Sequence, residues 1–301
     1  ELELNGYKFK TQSDTEVLLN LYFDKGESFL NYVNGCFSLA IYNRKEESLF
    51  IARDRFGIKP LVYYADNDKI IFASEIKAIL PFDIPKSLNN EALQLYLYFN
   101  YIPAPLTIFE KVNKLLPGHF IKVVKNKIAI KQYYCIENKV NNDIKIGDAV
   151  DELRNLLESS VKRRLISDVP LGTFLSGGID STLVAYLMSK ATSNIKSFSI
   201  SFEDNVFNES KYARKISEIF GTQHNEEVLS PNRMLELIPK IANFLDEPMA
   251  DPSIIPTYLL SEFTRKYVKV ALSGDGGDEI FAGYPTYQAH KLTEIIKVFK
   301  F

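Results

Sequence analysis

Two cysteines in 301 residues, Cys36 and Cys135, share no Cys-x-x-Cys spacing and form no disulfide framework, which suits a reducing cytoplasm. The three histidines, His119, His224 and His290, are scattered, so neither a zinc site nor a Ser-His-Asp triad can be read. No apolar run is long enough to span a bilayer, and no signal peptide is present. Neither sign of charge dominates. Lys plus Arg is 36 against 38 for Asp plus Glu, a net charge of −2, which advertises neither nucleic acid nor a membrane surface as partner. Internal repeats and low-complexity tracts are absent as well. What is present is a chain 46% hydrophobic and 25% charged, the composition of a globular protein, with length for two domains and ample core.

The stretch Leu171 to Leu183 organises the chain. An apolar run ending at Leu175 reads as a buried strand. Ser176, Gly177 and Gly178 read as a tight turn, and Thr182 to Ser189 carry helical spacing. Strand, glycine turn and helix together form an anion site, because glycines let backbone N–H groups approach a phosphate and a helix N-terminus adds positive partial charge. Ser176 and Ser181 can donate to the same oxygens. Asp180 would repel a phosphate unless a divalent cation sits between them. The lysine and longer glycine spacing of the common P-loop are absent. An ordinary glycine-rich strand–helix turn is the plainer reading of Ser-Gly-Gly alone.

Before this stretch the pattern is mostly antiparallel. Ser13-Asp14-Thr15-Glu16 fits a capping box opening a helix that runs to about Lys25-Gly26. On that reading Asp14 is simply a first-turn acid favoured by the helix dipole. Strands are expected at Cys36–Tyr42, Ser48–Arg53, Leu61–Ala65, Lys69–Ala73, Phe120–Val124 and Lys127–Tyr134, with a short helix over 90–99. Arg53 to Pro60 reads as a charged surface loop. The Asn-rich stretch 137–147 is the expected linker between domains at 1–136 and 148–301.

After the linker, strands and helices alternate, which predicts a parallel sheet. Helices are expected from Asp148 to Leu165, Glu209 to Phe220, Met234 to Leu245 and over 256–266. Strands are expected at Ile195–Phe202, Asn225–Val228 and Val268–Leu272. The last strand leads into Ser273-Gly274-Asp275-Gly276-Gly277-Asp278-Glu279, whose clustered acids repel one another unless a cation is near. Taken alone it could be a solvated acidic turn, and its spacing excludes an EF-hand. Both Ser-Gly loops follow strands and so share the carboxyl edge of the sheet, where open α/β sheets bind ligands.

Ser-Gly-Gly-Ile-Asp-Ser resembles the pyrophosphate loop of the ATP pyrophosphatases. The chain as a whole resembles the glutamine-hydrolysing asparagine synthetases. The resemblance is carried by Ser13–Glu16, Ala52–Pro60, Leu175–Ser181, Phe198–Ile200, Glu247-Pro248 with Asp251-Pro252-Ser253, and Ser273–Glu279 with Phe281–Tyr284. It implies an α+β N-terminal-nucleophile glutaminase domain, a sandwich of antiparallel sheets, followed by an α/β ATP-pyrophosphatase domain with a parallel sheet. It implies that glutamine-derived ammonia amidates aspartate through β-aspartyl-AMP, releasing AMP and pyrophosphate, with ATP and Mg²⁺ required.

Carried onto this sequence, Asp14 would hold the glutamine amino group. Leu175 and Ile200 would line the adenine. Ser176, Gly177, Gly178, Asp180 and Ser181 would hold pyrophosphate and Mg²⁺, and Ser273 and Gly274 would contact the nucleotide. Asp275 would stand at the reacting centre as the catalytic acid, with Asp278 as a second magnesium ligand. The partners are then small molecules, in the cytoplasm, with a homodimer one assembly open to the protein.

This sequence departs from the family pattern at several points. It opens with Glu1 where the family's mature terminus is a cysteine, and it has no upstream Asn-Gly-Glu segment. Cys36 stands at the start of an expected strand and is no substitute. Glu1 and Phe301 both fall inside expected helices, so both ends read as cut and the chain as a fragment, without glutaminase activity of its own. His224-Asn225 replaces the two histidines of many relatives, and Asp275 stands where some have Glu. Two other functions remain open: a related adenylating amidotransferase acting on another carboxylate, and an inactive nucleotide-binding fragment.

Overall fold

The computed structural model describes residues 1–125, 127–137, 139–141, 143–202 and 209–298, with side chains described to 293. Asn138 and Asn142 of the expected linker, and Phe301, lie outside the described residues. The chain forms two units, one of 1–140 with 243–251, the other of 141–242 with 252–301. The sequence reading had assigned 243–251 to the second domain.

The first unit contains α1 (Asp14–Lys25), a 3-10 helix (Gly26–Tyr32), β1 (Ser38–Asn43), β2 (Ser48–Arg53), β3 (Val62–Ala65), β4 (Ile70–Ala73), α2 (Ile76–Ile79), α3 (Asn90–Phe99), β5 (Val112–Lys114), β6 (His119–Val124) and β7 (Lys127–Gln132). Two antiparallel sheets form, in the orders β1-β2-β6-β7 and β4-β3-β5. Alternation decides the layers, since successive residues of a strand face opposite sides. Phe50, Ala52 and Phe120 pack with Phe29, Leu30 and α1 on one side of the larger sheet. Ile51 and Ile121, one residue away on β2 and β6, pack with Leu61, Leu115, Tyr63 and Ile70 of the smaller sheet. The far face of that sheet, Val62 and Tyr64, packs against Ile76 and Ile79 of α2. The layers are therefore helix, sheet, sheet, helix.

Segment 243–251 is bound into this unit by charge. Asp246 accepts from the backbone N–H groups of Ile76 at 2.5 Å and Lys77 at 3.3 Å, which caps α2. Lys77 Nζ donates to the carbonyls of Asn243 at 2.8 Å and Phe244 at 2.5 Å. Glu247 pairs with Lys114 and accepts from Ile108 N at 3.3 Å, and Ala250 N donates to Asn100 O at 2.8 Å.

The second unit contains α4 (Ile146–Arg164), β8 (Leu171–Phe174), α5 (Ile179–Ala191), β9 (Lys196–Phe202), α6 (Ser210–Phe220), β10 (Gln223–Leu229), α7 (Pro231–Phe244, whose last residues, Asn243 and Phe244, belong to the first unit), α8 (Ile254–Thr264), β11 (Val270–Leu272), α9 (Gly277–Phe281) and α10 (Pro285–Val298). Its sheet is parallel, in the order β10-β9-β8-β11. Leu175, Ala185 and Ala213 pack together where α5 and α6 cover one face, and Phe198, Phe263 and Val268 pack where α8 covers the other. Gly172 lets the Phe198 ring cross β8, for a Cβ there would lie 2.7 Å from that ring.

Three local expectations are corrected. Glu1 to Gly6 form turns rather than a helix. Glu16 does not return to Ser13 N. It accepts from Lys10 N at 2.9 Å and Thr11 N at 2.7 Å, so the bonds that close the capping box lie further upstream. Helix α5 begins at Ile179 and not Thr182, which puts Asp180 and Ser181 in its first turn. Among the described residues no helix is long and apolar enough to cross a membrane.

Candidate functional site

β8 connects onward to β9 on one side of itself, and its neighbour on the other side is β11. Strand order therefore reverses between β8 and β11, and ligands of open α/β sheets bind at such switch points. The two Ser-Gly loops leave these two strands. Register holds them side by side through Gly172↔Ala271 and Thr173↔Leu272, and Leu175 N donates to Phe198 O at 2.8 Å.

The first loop is shaped by its serines. Ser176 Oγ and Ser181 Oγ are 2.9 Å apart, and Gly178 N donates to Ser176 Oγ at 3.2 Å. Ser176 N donates to Ser181 Oγ at 3.3 Å, and Ser181 Oγ to Gly178 O at 3.2 Å. Gly177 has φ +89, and a Cβ there would lie 2.5 Å from Tyr212 Cβ, so conformation and space both demand glycine. Gly178 is the N-cap of α5 and has no capping side chain. The amino end of this 13-residue helix is therefore open to an anion.

The second loop closes on the first. A Cβ on Gly274 would lie 2.8 Å from Asp180 Cβ, and one on Gly277 2.5 Å from the Asp180 carboxyl carbon. The four acids here divide into two pairs. Asp275 accepts from Ser273 Oγ at 2.8 Å, and Glu279 from Tyr284 OH at 2.8 Å. The Glu279 bond pushes the Tyr284 phenol up to about 12. Asp180 and Asp278 are half-buried, yet among the described residues neither carboxylate accepts a hydrogen bond. No oxygen of either carboxylate is among the buried atoms without a partner, so both are open to water or to a cation.

Leu175, Ser176, Gly177, Gly178, Asp180, Ser181, Ser273, Gly274, Asp275 and Asp278 thus share one edge of one sheet, with Ile200 on the neighbouring β9. Asp14 belongs to the other unit. It is exposed at the first position of α1, and its carboxylate accepts from the adjacent Thr15 hydroxyl at 3.4 Å. Sequence reasoning gave no role to Gly277, Gly283, Glu279 or Tyr284. The doubled glycine at 276–277 was the available signal.

His224 is half-buried on β10, between Ser197 Oγ at 2.9 Å and Ser199 Oγ at 3.1 Å. Burial lowers its pKa from 6.5, against the opposing pull of Glu226. Among the described residues no three His, Cys, Asp or Glu side chains converge as a metal cage.

The Arg53–Pro60 loop, read as a charged surface loop, is instead tied down by its own side chains. Buried Asp54 accepts from the N–H groups of Phe37, Phe56, Ile58 and Lys59 at 3.2, 3.1, 3.0 and 2.9 Å. Arg53 donates to the carbonyls of Lys59, Leu115 and Gly57 at 2.9, 2.6 and 2.7 Å.

Residues 1–134 match the family model of the glutamine amidotransferase domain, and residues 152–297 match that of asparagine synthase. The chain is 38% identical over 289 residues to glutamine-hydrolyzing asparagine synthetase 1 of Bacillus subtilis (strain 168), a match covering 96% of this chain and 46% of that protein. It is 37% identical over 302 residues to the putative glutamine-hydrolyzing asparagine synthetase 2 of Methanocaldococcus jannaschii, covering 97% of this chain and 58% of that one. The chain thus spans about half the length of the curated relatives it matches.

Proposed function

From the premise that this chain belongs to the asparagine synthetase family, we propose that its second unit activates the side-chain carboxylate of aspartate with ATP, and that the enzyme amidates it with ammonia from glutamine. The observation that carries the proposal is the half-buried, donor-free Asp180 carboxylate, enclosed by Gly274 and Gly277 at the switch point of the sheet.

The residues present fit a magnesium–polyphosphate ligand. The space over Asp180 is a cradle that a single Cβ would fill, and the amino end of α5 opens onto the same turn. Magnesium is commonly held by one or two carboxylates plus substrate phosphates, so the lack of a three-residue cage is expected. Asp180 and Asp278 are the residues that would hold it. Bound there, the ion would neutralise charge on the phosphates.

In this reading Ser176, Gly177, Gly178 and Ser181 grip the pyrophosphate end of ATP. Leu175 and Ile200 flank the adenine through their backbones, and Ser273 and Gly274 contact the nucleotide. An aspartate carboxylate oxygen attacks the α-phosphorus, the bond to the bridging oxygen breaks, and pyrophosphate leaves. Asp275, held by Ser273, stands at that centre. Ammonia then attacks the acyl carbon of β-aspartyl-AMP, loses a proton, and AMP departs with the C–O electron pair.

In the whole enzyme the ammonia would come from the glutamine amidotransferase domain to which the first unit belongs. Its helix–sheet–sheet–helix layering suits an N-terminal-nucleophile sandwich, with Asp14 on the amino group of glutamine. ATP and free amino acids as substrates place the enzyme in the cytoplasm.

The test is exchange of labelled pyrophosphate into ATP with Mg²⁺. Exchange that requires aspartate is expected. Exchange that ignores aspartate but responds to another carboxylate would move the protein to a related amidotransferase. ATP binding without any exchange would leave a nucleotide-binding module.

A further inference from the structure

Glycine Cα atoms stand directly against the two carboxylates that, among the described residues, accept no hydrogen bond. A Cβ built on Gly277 would lie 2.5 Å from both Cγ and Oδ2 of Asp180 and 3.0 Å from its Oδ1. A Cβ on Gly274 would lie 2.8 Å from Asp180 Cβ and 2.9 Å from Ser181 N. A Cβ on Gly283 would overlap Asp278 Oδ1. None of these three glycines has positive φ, so their backbones suit any residue, and only the contact requires glycine. Gly276 is the opposite case: it has φ +93, and nothing lies within 4 Å of its Cβ position.

Carboxylates in folded proteins are usually aimed by N–H donors, which occupy the lone pairs they fix. Asp54 is aimed in that way by its backbone donors. A steric seat fixes direction and leaves the lone pairs free.

We propose that Gly277 and Gly283 are positioning residues of the ATP site: their bare Cα atoms seat the Asp180 and Asp278 carboxylates, so that both keep their full acceptor capacity for a divalent cation carrying a polyphosphate. The proposal rests on the adenylating reading of this site. It has a structural consequence of its own. Gly277 begins α9 and Asp278 follows it, so the contact that aims Asp180 also fixes where Asp278 starts. The two acids are set as a pair by the shape of the second loop.

The experiment titrates ATP into the purified chain by calorimetry, across MgCl₂ concentrations and in EDTA. The wild type, Gly277→Ala and Gly283→Ala are compared, and thermal stability is followed in parallel. Either methyl should push its carboxylate off its rotamer, raising the Mg²⁺ needed for half-maximal ATP binding on the order of tenfold, with binding in EDTA unchanged. In an Asp180→Ala background, Gly277→Ala should have no further effect on ATP binding or on melting temperature, because the group it displaces is gone.

Equal weakening with and without Mg²⁺, or an effect that persists in the Asp180→Ala background, would overturn the proposal. If Gly277→Ala fails to fold with Asp180 present but folds in the Asp180→Ala background, the steric seat is supported. Failure in both backgrounds overturns it. Wild-type protein that binds ATP without regard to Mg²⁺ would defeat the adenylating reading itself, a result separate from any effect of the glycine variants.

Discussion

Charged loops in the two units carry motif residues of similar appearance and opposite fate. In Arg53–Pro60 two of the charges are taken up by backbone: Asp54 is 1% exposed and holds four backbone N–H groups, while Arg53 holds three carbonyls. Around Ser176–Ser181 and Ser273–Glu279 the serines and Tyr284 bind neighbours, but among the described residues Asp180 and Asp278 accept no hydrogen bond. The difference is one of hydrogen-bond accounting. An acid whose lone pairs are filled by backbone builds a loop. An acid enclosed by glycine with its lone pairs unfilled is available to a ligand.

The largest effect should come from breaking the satisfied side of this contrast. Asp54→Ala removes the acceptor of four backbone N–H groups and should cost roughly 3 kcal/mol in urea unfolding. Asp180→Ala, read in the same assay, should change stability by less than about 0.5 kcal/mol, because it strands no donor. Equal losses would erase the distinction.

Next in size is Asp275→Asn, which should slow aspartate-dependent pyrophosphate exchange on the order of 10²-fold with little change in ATP affinity, as expected for a group at the reacting centre. A loss of ATP affinity with unchanged turnover would make Asp275 a nucleotide contact only.

A smaller effect tests whether 243–251 is fixed to the first unit by its acids. Lys114→Met breaks a partly buried pair with Glu247 and should cost about 1–2 kcal/mol, accompanied by faster amide exchange in 245–250. Unchanged exchange there would show that the segment is held by something else.

The smallest effect concerns pH. Burial lowers the His224 pKa below 6.5, so the unfolded chain binds the proton more readily than the folded one. The neutral ring is fully accommodated above pH 6.5, and stability should fall as pH drops from there through the lowered folded value. Glu226, held below 4.5 by its hydrogen bond from Arg214, adds its own loss as pH falls below 4.5. His224→Gln should flatten the first window and spare the second.

The elements most legible in the sequence were those whose pattern is local. β2 was read at Ser48–Arg53 because its apolar run is bounded by polar turns, and α3 at 90–99 from its helical spacing. β5, three residues without alternation, and α2, four residues capped by Asp246, gave no local signal. The place of 243–251 was hidden for the same reason, since its bonds to Ile76 and Ile108 join residues 170 and 139 apart in sequence.

At the candidate site the two Ser-Gly loops and their shared edge could be read from strand–turn–helix order. The division of the acids into partnered and unpartnered could not, because it depends on Ser273, Tyr284 and the glycines in three dimensions. Arg53–Pro60 is partly exposed, as its charge suggests, but the backbone bonds of Asp54 and Arg53 that hold it leave no mark in the sequence pattern.

The measurement that bears most directly on the account is calorimetric titration of ATP, with and without Mg²⁺, into the wild-type chain and Asp180→Asn, with melting temperatures recorded for both. The account predicts Mg²⁺-dependent binding to the wild type, its loss in the variant, and matching melting temperatures. Equal Mg²⁺-dependent binding by both proteins would contradict the claim that this unpartnered carboxylate is kept for the nucleotide and its metal.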